Sequence, residues 1–217
     1  MRSKTLVALA HMPLLAADDL ALLCGGGERS TRRVLSALVS AREAGYVAHP
    51  VTRHHLYYLT AAGVAAAARL MAADPEELVG RYGLGERALL RRLPALDRLV
   101  IGRTVLLALA RTGGALEDWR AYPVRWPFTR AGRTEALVLD GEATLRFADG
   151  VRCVVGYLWD GDVAAPEAAL VARLERLAEA QACLAYTAPY ATRVPPVLLV
   201  TTAVTRIPAG YRPGLLW

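Results

Sequence analysis

Arg29, Arg32, Arg33, Ser36, Ser40 and Glu43 recur at spacings of three and four within GGGERSTRRVLSALVSAREAGYVA. Projected at about 100° per residue, they gather on one side of a helix. Thr31, Val34, Leu35, Leu38 and Ala41 fall on the other side, with Val39 at the border. Such a helix is anchored by its apolar back while it holds guanidinium groups outward. A guanidinium presents paired N–H donors in a fixed fork that matches a phosphate or the edge of guanine, and a serine hydroxyl can take base edges or phosphate oxygens. The chemistry on offer is readout of a duplex through its major groove. The helix start, Arg29-Ser30-Thr31-Arg32-Arg33, with Ser36 and Ser40, is the candidate contact set. The plain alternative is a solvated helix face carrying ordinary charges.

Other reactive side chains offer less. Adjacent His54 and His55 on a strand point to opposite faces, so they cannot share one metal. His49 and His54 could approach across a hairpin, but no carboxylate or thiolate accompanies them. Arg53 and His54, near the hairpin tip, are better read as phosphate or minor-groove contacts. Cys24, Cys153 and Cys183 lack any CxxC spacing and read as small buried apolar residues, with no metal or other cofactor expected. GxSxG, a phosphate loop ending in lysine and HExxH are absent. The paired acids Glu76-Glu77 and Glu117-Asp118 read as solvated, so no set of residues makes a convincing active site.

The elements that must position the arginine face come next. At 217 residues the chain can form one large domain or two small ones, and its net charge of +6 permits a nucleic-acid partner without demanding one. No apolar run reaches the ~18 residues of a membrane span. The start, MRSKTLVALAHMPLLAADD, has the basic-then-apolar order of a signal peptide. His11 and Pro13 interrupt it and Asp18 and Asp19 end it, so it reads as a mature helix of a cytoplasmic protein. The pattern predicts a helix over Ser3–His11 with Ser3 as N-cap, and a short one over Ala17–Leu23 led by Asp18 and Asp19. A glycine turn at 25–27 precedes the arginine helix, which Gly45 caps. A hairpin joins Tyr46-Val47-Ala48 to Leu56-Tyr57-Tyr58-Leu59, and a helix capped by Thr60 runs to about Ala72.

The Leu20–Leu23 helix, Ser30-Thr31-Arg32-Arg33-Val34-Leu35, Leu38, Glu43-Ala44-Gly45-Tyr46-Val47 and Tyr58-Leu59-Thr60-Ala61-Ala62-Gly63 follow one another in this order. Together they resemble a bacterial winged-helix DNA-binding domain. The resemblance covers about the first third of the chain and implies that the arginine helix is the recognition helix. A linker is expected at 74–86, in which Asp74-Pro75-Glu76-Glu77 starts another helical turn or two and Gly80, Gly83 and Gly85 loosen the chain. It separates residues 1–73 from a second domain at 87–217.

That second part predicts a long helix from about Ala88 to Arg111. A strand carrying Trp119, Tyr122, Val124 and Trp126 in alternation follows it. Glu135–Leu139 and Ala143–Phe147 then form a hairpin turned at Asp140-Gly141. Asp149-Gly150 turns into Val151–Trp159. A helix over Pro166–Ala185 follows, with a Leu170, Leu174, Leu177 and Leu184 core stripe. The buried-type strand Val197–Thr202 comes last, giving an α/β sandwich. The fold class expected for the whole chain is α+β: a winged helix-turn-helix, then this sandwich.

Trp119, Glu135-Ala136, Leu158-Trp159-Asp160-Gly161, the long helix, Pro196-Val197-Leu198-Leu199-Val200 and Thr205-Arg206, behind a winged helix, resemble the plasmid replication-relaxation family of mobile elements. That resemblance implies a restriction-endonuclease-like second domain, in which Glu135 and Asp160 could be two of the carboxylates that hold Mg²⁺. Leu158 stands where another acid is expected, and Lys4, the only lysine, lies in the other domain. Arginine cannot substitute as a base because it stays protonated. The second domain is therefore expected to be degenerate and non-catalytic, a scaffold for a partner subunit, a second DNA segment or the relaxosome.

The reading is a bacterial protein, not an enzyme, that binds double-stranded DNA in transcriptional regulation or in plasmid replication and transfer. It could act as a homodimer over repeated half-sites, and a relaxase or replication protein is the partner the resemblance implies. A metal-dependent nuclease and a winged-helix adaptor that binds protein are the rival readings. No membrane partner is expected.

Overall fold

In the computed structural model of the protein, helices α1 (Arg2–His11), α2 (Ala17–Cys24) and α3 (Glu28–Ser40) open the chain. A hairpin of β1 (Ala44–Ala48) and β2 (His55–Leu59) follows, then α4 (Ala61–Met71) and α5 (Pro75–Tyr82). Beyond these lie β3 (Ala115–Arg120), β4 (Val124–Arg130), β5 (Arg133–Leu139), β6 (Gly141–Arg146), β7 (Arg152–Asp160), α6 (Glu167–Ala182) and β8 (Val197–Thr201). The structure describes residues 1–49, 52–85, 88–89, 115–120, 123–160, 167–182 and 195–201. The described part is mixed α+β and divides into two units, Met1–Leu96 and Asp97–Trp217.

In the first unit, local chemistry accounts for most boundaries. Ser3 lies inside α1, which already begins at Arg2, so it is not the expected cap. The chain then turns at Leu14, whose φ is 68°, and runs briefly alongside the hairpin. The Leu14 N–H donates to the Tyr57 carbonyl at 2.7 Å, and the Tyr57 N–H donates to the Leu15 carbonyl at 2.8 Å. This one-residue bridge adds a third extended segment beside β2. Asp19 in the first turn of α2 accepts from the Ala16 N–H at 3.1 Å, and Gly25, at φ 67°, ends the helix. That left-handed angle is cheap only for glycine.

The helix α3 stops at Ser40, and Arg42 takes the left-handed conformation there, at φ 56°. Gly45 is therefore not its cap. It sits in β1, where an added Cβ would come within 2.6 Å of the phenol end of Tyr58, which would have to shift to admit it. Thr60 caps α4 as expected, accepting from the Gly63 N–H at 3.3 Å and donating to the Arg42 carbonyl at 2.6 Å. Leu6, Leu9, Leu15, Leu20, Leu35, Leu38, Leu56 and Leu59 are nearly solvent-free and make the core.

The stretch expected as a linker is folded. Asp74 caps α5 by accepting from the Glu76 and Glu77 N–H groups, and Pro75 occupies the first turn, where a missing N–H is harmless. Leu78 and Tyr82 are buried, and the Tyr82 ring meets His11 of α1 edge-on, with centroids 4.8 Å apart. Residues 74–85 thus belong to the first unit, and the division falls between Leu96 and Asp97, not at 74–86. The glycines suggested looseness, but Leu78 and Tyr82 supply an apolar face that packs. The long helix expected over 88–111 lies mostly outside the described residues.

The second unit departs further from its expected pairing. Its sheet has the order β3-β6-β7-β8, antiparallel except for β8, which runs parallel to β7. The strands β4 and β5 form a separate hairpin, turning at Ala131-Gly132 with φ of 46° and 77°. Asp140-Gly141 is not a hairpin turn. It is a crossing point at which the chain leaves the hairpin for the sheet. Gly141 passes against the Tyr157 phenol and the Arg120 carbonyl, where a side chain would not fit. Likewise Trp119 and Trp126 lie on two different strands in two different sheets, not on one alternating strand. Asp149-Gly150 does turn β6 into β7, with Gly150 at φ 84°. Trp126, Phe128, Leu137 and Leu139 of the hairpin, Leu158 of β7 and Leu170, Leu174 and Leu177 of α6 share one core. Tyr122, Gly161, Cys183, Leu184, Thr205 and Arg206 lie outside the described residues.

Candidate nucleic-acid interface

The outward face of α3 is built by periodicity and held by its back. Thr31, Leu35 and Leu38 are buried, while Arg29, Ser30, Arg32, Arg33, Ser36 and Ser40 are exposed. Thr31 is the one helix candidate that must be withdrawn. It is fully buried, and its hydroxyl donates to the Gly27 carbonyl at 3.1 Å, so it tightens the first turn and cannot reach a ligand. Ser30 is exposed, although its hydroxyl donates to the same carbonyl at 2.7 Å.

Arg29, Arg32, Arg33 and Ser36, with Glu28, line one shallow open depression of about 550 Å³. Among the described residues Arg29 and Arg33 take no ion pair. Arg32 does: its Nε and Nη2 both donate to Glu28 Oε1, at 2.9 and 2.5 Å, one turn back along the helix. Both partners are more than half exposed, and pairs of this kind contribute only about 0.3–0.5 kcal/mol. Glu43, expected on the arginine face, lies beyond the end of α3 and is paired with Arg2.

The hairpin brings a second set of side chains beside α3. The start of α2 (Ala16, Ala17, Asp18), Glu28 and Arg32 of α3, and His54, His55 and Tyr57 of the hairpin line a groove of about 550 Å³. Burial pushes the Tyr57 phenol above its usual pKa, while the nearby Arg32 charge pulls it back down. Arg53 is exposed at φ 60°, where the chain turns over. His49 organises that turn, its Nδ1 accepting from the Thr52 N–H at 3.1 Å and its backbone N–H donating to the His54 carbonyl at 2.8 Å. His54 is exposed, and His55 stacks on Tyr46 with ring centroids 4.1 Å apart.

Tyr46, His55 and Tyr57 form an aromatic strip that sequence reasoning left out of the candidate set. Tyr46 is 48% exposed and pairs in register with Tyr57, with Ala48 opposite His55. The signal was available in the period-two spacing of His55 and Tyr57, but only the register shows that Tyr46 joins them.

The nuclease candidates have these surroundings. Glu135 on β5 is paired with Arg176 of α6, and Asp160 ends β7 and is buried. Among the described residues no group of three or more His, Cys, Asp or Glu side chains is placed to hold a metal ion. Cys24 is buried and Cys153 half-buried, and burial raises both thiols above their usual pKa. No helix among the described residues is long and apolar enough to cross a membrane.

No family model, curated protein or solved structure matches the chain.

Proposed function

We propose that the first unit is a winged helix that binds double-stranded DNA, with α3 as its recognition helix and the β1–β2 hairpin as its wing. The order of helix, extended bridge, two helices and hairpin supports this reading, as does the Leu14–Leu15 segment alongside β2. The observation that carries it is the α3 face itself. Arg29, Arg33, Ser36 and Ser40 stand open on one side, and the opposite side is anchored through Leu35 and Leu38. On this reading Arg29, Arg32 and Arg33 meet base edges and phosphates, Ser30, Ser36 and Ser40 add hydroxyl contacts, and Arg53 and His54 touch the backbone from the wing. The second unit is a non-catalytic scaffold, and the setting is transcriptional control or plasmid replication and transfer.

A titration of the protein into labelled mixed-sequence duplex DNA across a salt series, with Mg²⁺ present, tests this. The logarithm of affinity should fall linearly with the logarithm of salt, by about 0.9 for each phosphate contacted, and the duplex should remain intact. Absence of binding at low salt, or binding indifferent to salt, removes the reading. Strand cleavage would return the second unit to the nucleases.

A further inference from the structure

Glu28 is an acid on the face of α3 that is otherwise basic, and it projects into both depressions that Arg32 lines. A carboxylate there repels phosphate, so electrostatics alone would remove it from a surface built only for backbone affinity. Its first-turn position is favourable to the helix dipole, which is the ordinary explanation. The hydrogen bonds point to something more specific. Glu28 takes the Nε–H and one Nη2–H of Arg32, which is the side edge of the guanidinium plane. The outer edge, with its two parallel N–H groups on Nη1 and Nη2, is left to a ligand. Those two donors match the O6 and N7 acceptors of guanine.

We infer that Glu28 is a positioning residue for base recognition, clamping Arg32 so that its outer N–H edge reads guanine in preference to wandering between phosphates. This rests on the DNA-binding reading and deepens it. Arg32 lines both the groove toward His54, His55 and Tyr57 and the depression on the α3 face while Glu28 holds it. The clamp fixes the plane of its guanidinium, and so lowers the entropy lost when a bidentate contact forms.

The test uses the full chain. A duplex is first selected from a random library by the wild type, and affinities for it and for a scrambled duplex are then compared. Wild type, Glu28→Gln, Glu28→Ala, Arg32→Ala and the double variant Glu28→Ala/Arg32→Ala are measured at one salt concentration. Glu28→Ala should lower the selected-to-scrambled ratio about twofold, the worth of an exposed i,i+4 pair, while tightening binding to the scrambled duplex. Glu28→Gln, which keeps an acceptor without the charge, should fall between it and wild type. In the Arg32→Ala background, Glu28→Ala should leave the ratio unchanged.

A ratio that survives Glu28→Ala, or that falls equally with and without Arg32, overturns the inference while leaving DNA binding intact. A purely helix-stabilising role would lower the melting temperature without touching the ratio, and that outcome also overturns it. Failure of the wild type to bind either duplex removes both this inference and the reading beneath it. Glu28 is more than half exposed, so folding of the variants is checked by their melting curves and is not expected to fail.

Discussion

The two units differ in how most of their described arginines are used, with exceptions on each side: Arg2 of the first is paired with Glu43, and the exposed Arg125 and Arg133 of the second take no ion pair among the described residues. In the second, Arg120, Arg130, Arg146, Arg152, Arg173 and Arg176 each hold a carboxylate. Arg176 bridges Glu135 of β5 and Glu179 of its own helix while its guanidinium lies 5.0 Å from the centre of the Phe128 ring, and Arg173 reaches Asp140 at 2.6 Å. These pairs fasten the β4–β5 hairpin and its exit to α6. In the first unit Arg29, Arg33 and Arg53 take no ion pair among the described residues, and Arg32 takes one that is weak and exposed. Counting arginines therefore says little about binding. Whether an acid already occupies each fork says a good deal more, because a guanidinium committed to a carboxylate must lose it before meeting a phosphate.

The comparison can be broken at its most buried pair. Glu142 is almost fully buried, paired with Arg120 and accepting from the Trp126 indole N–H at 2.6 Å. Arg120→Ala leaves that carboxylate uncompensated and should cost about 3–5 kcal/mol of stability, read by denaturant unfolding. A loss near zero would show that this pair holds nothing. The next effect is smaller and of the other kind. Arg29→Ala with Arg33→Ala should leave stability within about 0.5 kcal/mol. It should weaken duplex binding roughly thirtyfold and reduce the salt slope by about 2. Arg173→Ala with Arg176→Ala should do the reverse, lowering the melting temperature and leaving the salt slope alone. If both double variants behave alike, the distinction between open and committed arginines fails.

The smallest effect is a pH dependence confined to the second unit. Its hydrogen bond from Arg176, and behind it Arg130, hold the Glu179 carboxyl below the ordinary glutamate value of 4.5. A lowered folded-state pKa means that the stabilisation is complete above the ordinary range and is lost as pH falls through the lower value. Glu179→Gln should flatten the acid side of the melting profile slightly, and added salt should mask the difference because the group is exposed. An unchanged profile would mean that these surface pairs contribute nothing measurable.

How much of this was legible in the chain varies with the range of the interactions. The first-unit elements α2, β2 and α4 follow from glycine at the α2 end, the threonine cap and apolar periodicity, all acting within a few residues. The exposed α3 face was legible for the same reason, since a helix of known period with one buried stripe determines its other side. Thr31 shows the limit: the same period put it on the back, and its type alone suggested a contact. The linker expected at 74–86 was misjudged because glycine content describes backbone freedom, while the packing of Leu78 and of Tyr82 against His11 depends on α1, far away in sequence.

Strand pairing was beyond reach in the second unit. Asp140-Gly141 has the composition of a tight hairpin, yet β5 pairs back to β4 and β6 pairs with β7 and β3. The amino-acid order determined most of the helical and extended segments, the Thr60 cap and which helix side carries guanidinium groups, because those choices are made by neighbours. The tertiary structure alone decided which strands share a ladder, that Glu135 is held by Arg176, that Tyr46 joins His55 and Tyr57, and which arginines remain open. Each of those depends on side chains that meet only after distant parts of the chain have been brought together.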